Sequence, residues 1–161
     1  MKLLQIVVVA CVGVLILHGH TFACTCGPTP PTPEQEFNTS TAVFTGQVIQ
    51  VFQNLDCEGP STALVIVDDC WKGVTTPLLM VYTPGTGACC GIDFQLTQYI
   101  FYARDDASLG GPSVYLCGRT GYLTGAGEDL AYLGISNCTV PVRDKTWGAI
   151  KSLYGIDGEI N

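Results

Sequence analysis

Histidine is nearly absent from this chain. Its 161 residues carry two, His18 and His20, both close to the start. Basic side chains are scarce as well: seven Lys and Arg against fourteen Asp and Glu, for a net charge of −7. A nucleic-acid-binding face needs clustered positive charge to neutralise phosphates, so that class is excluded. Charged residues make up only 13% of the sequence. Its aromatic and β-branched content is nevertheless too high for a disordered chain. The length suits one domain plus a little extra.

Long hydrophobic runs are also missing. The apolar stretch Leu3–Leu17 is about 15 residues, short of the roughly 20 that a membrane-spanning helix needs. Lys2 precedes it, the polar His18-Gly19-His20 follows, and Thr21-Phe22-Ala23 ends on a small residue. The pattern reads as a secretory signal peptide over residues 1–23, cleaved after Ala23. An uncleaved signal anchor and a bacterial lipoprotein are the alternatives, the second because a cysteine follows the cut. Thr21 and Phe22 fit a lipobox poorly. The expected product is secreted and extracellular, a single domain over residues 24–161 that binds no membrane.

Removing residues 1–23 takes away Lys2, Cys11 and both histidines, and moves the net charge from −7 to −8. A chain without histidine has no Ser-His-Asp or Cys-His nucleophile system and no histidine metal site. Carboxylate pairs remain at Asp68-Asp69, Asp105-Asp106 and Glu128-Asp129. Each pair is adjacent in sequence, which reads as a solvated turn rather than as an acid/base couple. The chain is therefore not expected to be an enzyme, nor to hold a cofactor or an intrinsic metal.

Cysteine is the residue in surplus. Eight of the nine remain after cleavage: Cys24, Cys26, Cys57, Cys70, Cys89, Cys90, Cys117 and Cys138. An even number in a small secreted domain predicts four disulfides, but eight cysteines allow about a hundred pairings and spacing does not choose among them. One C-x-C and one C-C, rather than paired C-x-x-C, argue against structural zinc.

Gly27–Pro33 holds four prolines in seven residues, a stiff extended segment with few ladder donors. It joins nothing upstream after cleavage, so its expected role is to hold Cys24-Thr25-Cys26 in a defined shape. Glu34–Asn38 predicts a helical turn. Strands are expected at Ala42–Phe52 (with a bulge at Gly46), Thr62–Trp71, Leu78–Tyr82, Thr97–Ala103 and Ser113–Cys117. Lys72-Gly73 and Pro84-Gly85 read as turns. Glu128–Leu133 predicts a short helix closed by Gly134. A last helix is expected from Pro141, with Trp147, Ile150 and Tyr154 at helical spacing and Gly155 as the stop. The fold class expected is all-β with small helices: a five-stranded, OB-like closed barrel stapled by disulfides. A sandwich is the alternative, though five strands make a meagre one.

Three features share one order along the chain: the Cys24-Thr25-Cys26 start, Val81-Tyr82-Thr83-Pro84 followed by Cys89-Cys90-Gly91, and Tyr99–Ala103 leading to Leu116-Cys117. This order resembles the inhibitory amino-terminal domain of the tissue inhibitors of metalloproteinases, within the netrin-like group. The likeness covers about residues 24–134. Netrin-like proteins share an ending like Glu128-Asp129-Leu130-Ala131-Tyr132-Leu133-Gly134.

The resemblance implies a secreted, monomeric inhibitor whose partners are secreted zinc metalloendopeptidases. Its terminal cysteine, Cys24, would chelate the protease's zinc, and Thr25 would enter the specificity pocket. Cys26, Gly27, Pro28, Ala88, Cys89 and Cys90 are the further contact residues implied. The implied bridges are Cys24–Cys90 and Cys26–Cys117. The second reading is a netrin-like extracellular binding or matrix module without inhibitory activity. The sequence departs from the family pattern in three respects. It has Asn38 where the family has a cysteine, Cys57, Cys70 and Cys89 are extra, and a second six-cysteine subdomain has no counterpart here.

Cys57, Cys70, Cys89 and Cys138 are then left to pair. A hairpin of the first two strands would put Cys57 in its loop and Cys70 roughly 40 Å away at about 3.3 Å per residue, beyond the reach of about 7 Å that a disulfide allows. In the family the hairpin loop and the segment before Cys90 border one ridge, which favours Cys57–Cys89. Cys138 would pair with Cys70, near the position that Asn38 takes from the family's cysteine. Glycosylation sequons stand at Asn38-Thr39-Ser40 and Asn137-Cys138-Thr139.

Overall fold

The computed structural model describes residues 24–55, 59–85 and 90–138. The expected signal peptide and the expected helix from Pro141 lie outside the described residues, as do Cys57, Ala88 and Cys89.

A helix α1 (Pro33–Thr39) opens the fold, followed by strands β1 (Ala42–Phe52), β2 (Ser61–Lys72), β3 (Leu78–Thr83), β4 (Gln98–Asp106), β5 (Gly111–Ser113) and β6 (Gly121–Tyr122). A single 3₁₀ turn over Leu123–Gly125 leads into helix α2 (Gly127–Leu133). Local chemistry explains where α1 begins. The Thr32 hydroxyl accepts from the Gln35 amide, and the Gln35 side chain accepts from the Thr32 amide. This is a reciprocal capping box, with Pro33 at a first position that needs no amide.

In β2, Ala63, Val65 and Val67 are buried while Thr62, Leu64 and Ile66 are half-exposed. That two-residue period marks a strand with one face on a core. The β1–β2 hairpin pairs Phe44 with Cys70 and Phe52 with Thr62, and its register shifts between Thr45 and Gly46. A Cβ at Gly46 would collide with the Ile66 carbonyl and the Val65 side chain. The bulge and the close approach both require glycine.

The strands run β1-β2-β3-β5-β4, and β4 returns to pair with β1, which closes a five-stranded barrel. All neighbours are antiparallel except β3 and β5, which meet in parallel at Tyr82 and Ser113. β6 adds to β4 outside the closed set. The result is a mostly β fold with two short helices, the class that the strand pattern predicts.

Inside, Phe44 and Phe101 stack with ring centroids 4.8 Å apart, and Phe94 and Tyr99 pack around them. Val48, Val65, Val81 and Val114 fill the remaining space. Each such side chain contributes about 1.5–3 kcal/mol by leaving water. A second cluster lies outside the barrel wall, where Val43, Trp71, Ile100, Tyr102 and Ala126 pack with Phe37, Leu123 and Leu133 of the helical elements. This is why Val43 and Phe44 are both buried although they are neighbours on a strand.

One strand differs from expectation. The fifth was expected at Ser113–Cys117 and is found at Gly111–Ser113. After Val114, whose amide donates to the Tyr82 carbonyl, the chain leaves the sheet. The Leu116 amide donates to Cys90, and the Gly118 amide closes a turn onto Tyr115. Cys117 is thereby directed toward Cys26 rather than along a strand.

Candidate functional site

Cys24 and Cys26 lie two residues apart and have separate anchors. Cys24 is bonded to Cys90 with a Cα separation of 5.3 Å, and Cys26 to Cys117 at 5.2 Å. The anchors are themselves neighbours, since the Leu116 amide donates to the Cys90 carbonyl at 3.0 Å. These are the two bridges that the resemblance implies. Between and beyond them Thr25, Cys26, Gly27, Pro28, Thr29 and Pro30 are exposed, while Cys24 and Cys90 are half-buried. The candidate site is thus an extended edge of chain held on the barrel by covalent bonds, with little of itself buried.

Local backbone geometry aims the first anchor. Cys90 has φ +67°, a left-handed conformation that costs a non-glycine residue about 1–2 kcal/mol. Its neighbour has no room for a side chain, because a Cβ at Gly91 would overlap the Pro84 carbonyl. The next residue is fixed by the Ile92 amide, which donates to the fully buried Thr83 hydroxyl at 2.9 Å. Strain at one residue is sustained by the ordered pairing around it.

The far end of the edge is held by a charge. The Arg119 guanidinium donates to the Pro31 carbonyl at 2.9 Å, and grips both carboxylate oxygens of Asp129 at 2.6 and 2.8 Å. It also reaches Glu128 at 2.8 Å. Asp129 is buried and accepts a further bond from the Tyr102 hydroxyl at 2.9 Å. Hydrogen bonds donated to Asp129, the largest influence on Arg119, hold its pKa above the ordinary guanidinium range. Burial, and then the bond to Asp129, raise the Tyr102 phenol far above its usual value. The pair Glu128-Asp129 is therefore no solvated turn, because packing of α2 on the barrel turns Asp129 inward. Sequence reasoning missed Arg119. The signal available was its place two residues beyond a bridged cysteine in a chain with few cations.

Beneath the edge lies a cavity of about 300 Å³ lined by Pro31, Glu36, Tyr102, Arg104, Tyr115 and Cys117, among others. Arg104 pairs there with the buried Glu36 at 3.2 Å and bonds the Thr39 hydroxyl at 2.9 Å. Tyr115 donates to Asp106, and burial followed by that bond raises its pKa to about 12.

A third expected bridge, at the opposite end, is present as well. Cys70 is bonded to Cys138 with a Cα separation of 5.2 Å, and the Asn137 and Cys138 amides both donate to the Cys70 carbonyl. Both partners of the expected Cys57–Cys89 bridge lie outside the described residues. Of the sequons, Asn38 and Asn137 are exposed. The Ser40 hydroxyl is buried on the Glu36 carbonyl. Among the described residues no three His, Cys, Asp or Glu side chains assemble as a metal-binding group, and no helix is long and apolar enough to cross a membrane. Compared with protein-family models and with curated proteins, the sequence matches none.

Proposed function

We propose that this chain is a secreted inhibitor of zinc metalloendopeptidases, acting through Cys24 once residues 1–23 are removed. One observation carries the reading. Cys24-Thr25-Cys26 is an exposed edge whose two cysteines are bonded to adjacent anchors, so it is ordered before any partner arrives. A catalytic zinc keeps one position open for water or substrate. The α-amine and carbonyl of a terminal Cys24 would occupy that position as a five-membered chelate and displace the water. Thr25 would follow into the pocket for the residue after the scissile bond, and Gly27 and Pro28 would lie along the cleft without presenting a bond to cut. A pre-ordered edge loses little conformational entropy on binding, which a free peptide would have to lose.

The amine must be unprotonated at the metal. Its ordinary pKa is about 7.7–8.0, so binding releases a proton from a large fraction of molecules at neutral pH.

The test is a pair of proteins, one starting at Cys24 and one carrying a single extra alanine before it. The first is expected to inhibit a zinc endopeptidase at one-to-one stoichiometry, and the second to fold equally well and not inhibit. Equal inhibition by both rules out chelation by the terminal amine. Inhibition by neither across a panel of such proteases favours the non-inhibitory netrin-like binding module.

A further inference from the structure

Charge is distributed unevenly around the exposed edge. Charged residues make up 13% of the chain, yet Gly73–Ile92 contains none, and neither do Cys24–Pro33 or Ala107–Gly118. The fold brings these three uncharged stretches together. Cys24 joins Cys90, Cys26 joins Cys117, the Leu116 amide donates to Cys90, and the Val114 amide donates to Tyr82. The surface that results is Thr25–Pro30 with Leu116, which is 50% exposed beside the Cys90 anchor.

Along the chain, acidic residues flank each of these stretches. Glu34 directly follows Cys24–Pro33, Asp93 directly follows Gly73–Ile92, and Asp105-Asp106 precede Ala107–Gly118; Glu34, Asp93 and Asp105 are exposed. The described cations do not offset them. Arg119 is bound to Asp129 and Glu128, and Arg104 to Glu36. Lys72 lies at the end of β2 away from Ser61, the residue opposite Thr83, and donates to the Phe37 carbonyl.

Protein interfaces deplete charge at their centre and carry it at the rim, where it governs encounter more than complex lifetime. We infer that the edge fits a partner whose contact surface is uncharged at its centre and basic at its rim. Because this rests on the inhibitor reading, that partner is a zinc endopeptidase with lysine or arginine side chains bordering its cleft.

The experiment measures association and dissociation rates of the protein starting at Cys24 with two zinc endopeptidases, one with a basic cleft rim and one with an acidic rim. Salt is raised from about 0.01 M to about 1 M, which shortens the screening length from about 30 Å to about 3 Å. With the basic-rimmed protease the association rate is expected to fall at least about tenfold while dissociation changes less than about twofold. With the acidic-rimmed protease the association rate is expected to rise with salt.

The double variant Glu34→Lys, Asp105→Lys, checked for an unchanged melting temperature, is expected to associate about tenfold more slowly with the basic-rimmed protease at low salt. An association rate that salt leaves unchanged, or wild-type rates in the double variant, overturns this inference and leaves the inhibitor reading standing. No complex with either protease overturns the inhibitor reading, and this partner with it.

Discussion

The two faces of the barrel are held by different forces. On the helical side, Val43, Trp71, Ile100 and Tyr102 are buried against the helical elements, and the Trp71 indole donates to the Gly134 carbonyl at 3.1 Å. The charges buried there are paired, Asp129 with Arg119 and Glu36 with Arg104. At the amino-terminal edge almost nothing is buried, and order comes from Cys24–Cys90 and Cys26–Cys117. Packing gives rigidity by covering a surface, whereas a disulfide gives it while leaving the surface open. A segment that must meet a partner already shaped needs the second kind. Substitutions should therefore separate into those that cost stability alone and those that cost binding.

The largest effect is expected from the double variant Cys26→Ser, Cys117→Ser. The bridge spans 91 residues, so its loss costs about 4.6 kcal/mol in the chain-entropy account. Denaturant unfolding measures that cost. Inhibition by the molecules that remain folded is expected to weaken as well, because the edge must then be ordered on binding. The control is Phe101→Ala in the barrel interior, with a comparable cost of about 3–5 kcal/mol. Folded Phe101→Ala is expected to bind as wild type does. Equal binding by both variants would mean that the edge needs no covalent support.

Arg119 joins the two regions, and Arg119→Ala is expected to cost about 3 kcal/mol because Asp129 is left buried without its cation. Arg119→Lys restores the charge without the two-pronged grip and should recover only part of the loss. Inhibition should weaken along with stability, since the Pro31 carbonyl loses its donor. A stability loss with unchanged inhibition would confine Arg119 to the helical side.

Much of the barrel was legible in the residues. The apolar, β-branched runs of Ala42–Phe52 and Thr62–Trp71, the glycines at 46 and 73, and the turn signals between runs locate the first three strands. The hydrophobic run Tyr99-Ile100-Phe101-Tyr102-Ala103 marks the fourth. The fifth was misplaced because Ser113–Cys117 has the composition of a strand. What ends it is the pull of Cys117 toward Cys26 and the hydrogen bond from Leu116 to Cys90, both partners distant in sequence. Asp129 was misread for a related reason. Adjacent acidic residues at a helix start are ordinarily solvated, and only the docking of α2 decides which of Glu128 and Asp129 faces inward.

A smaller effect, confined to binding, is expected at Thr25. Its side chain is exposed, so Thr25→Gly should leave unfolding nearly unchanged while weakening inhibition by about 1–3 kcal/mol, the worth of a small buried group with a hydrogen bond. Inhibition constants measured on several zinc endopeptidases test this. Unchanged constants throughout would remove Thr25 from the interface.

The smallest effect at neutral pH lies on the helical side, in Tyr102→Phe. Removing one buried hydroxyl that donates to Asp129 costs about 1 kcal/mol, with no effect on inhibition. Its pH dependence has a definite sign. Burial raises the Tyr102 pKa in the folded protein, so the folded state keeps the proton to a higher pH than the unfolded chain, where tyrosine ionises near 10. The contribution is complete below pH 10 and is lost above it, as the unfolded state alone sheds protons. Tyr99, raised by burial to about 12, acts in the same direction over pH 10 to 12. Stability should therefore be level up to about pH 9.5 and then fall, each such tyrosine contributing a slope of up to about 1.4 kcal/mol per pH unit. Tyr102→Phe removes one of these slopes. The variant, less stable than wild type at pH 8, should draw level by about pH 11 and then exceed it. Urea unfolding at several pH values measures the crossing. A gap that stays constant from pH 8 to 11.5 would show that Tyr102 ionises as readily in the folded protein as in the unfolded chain.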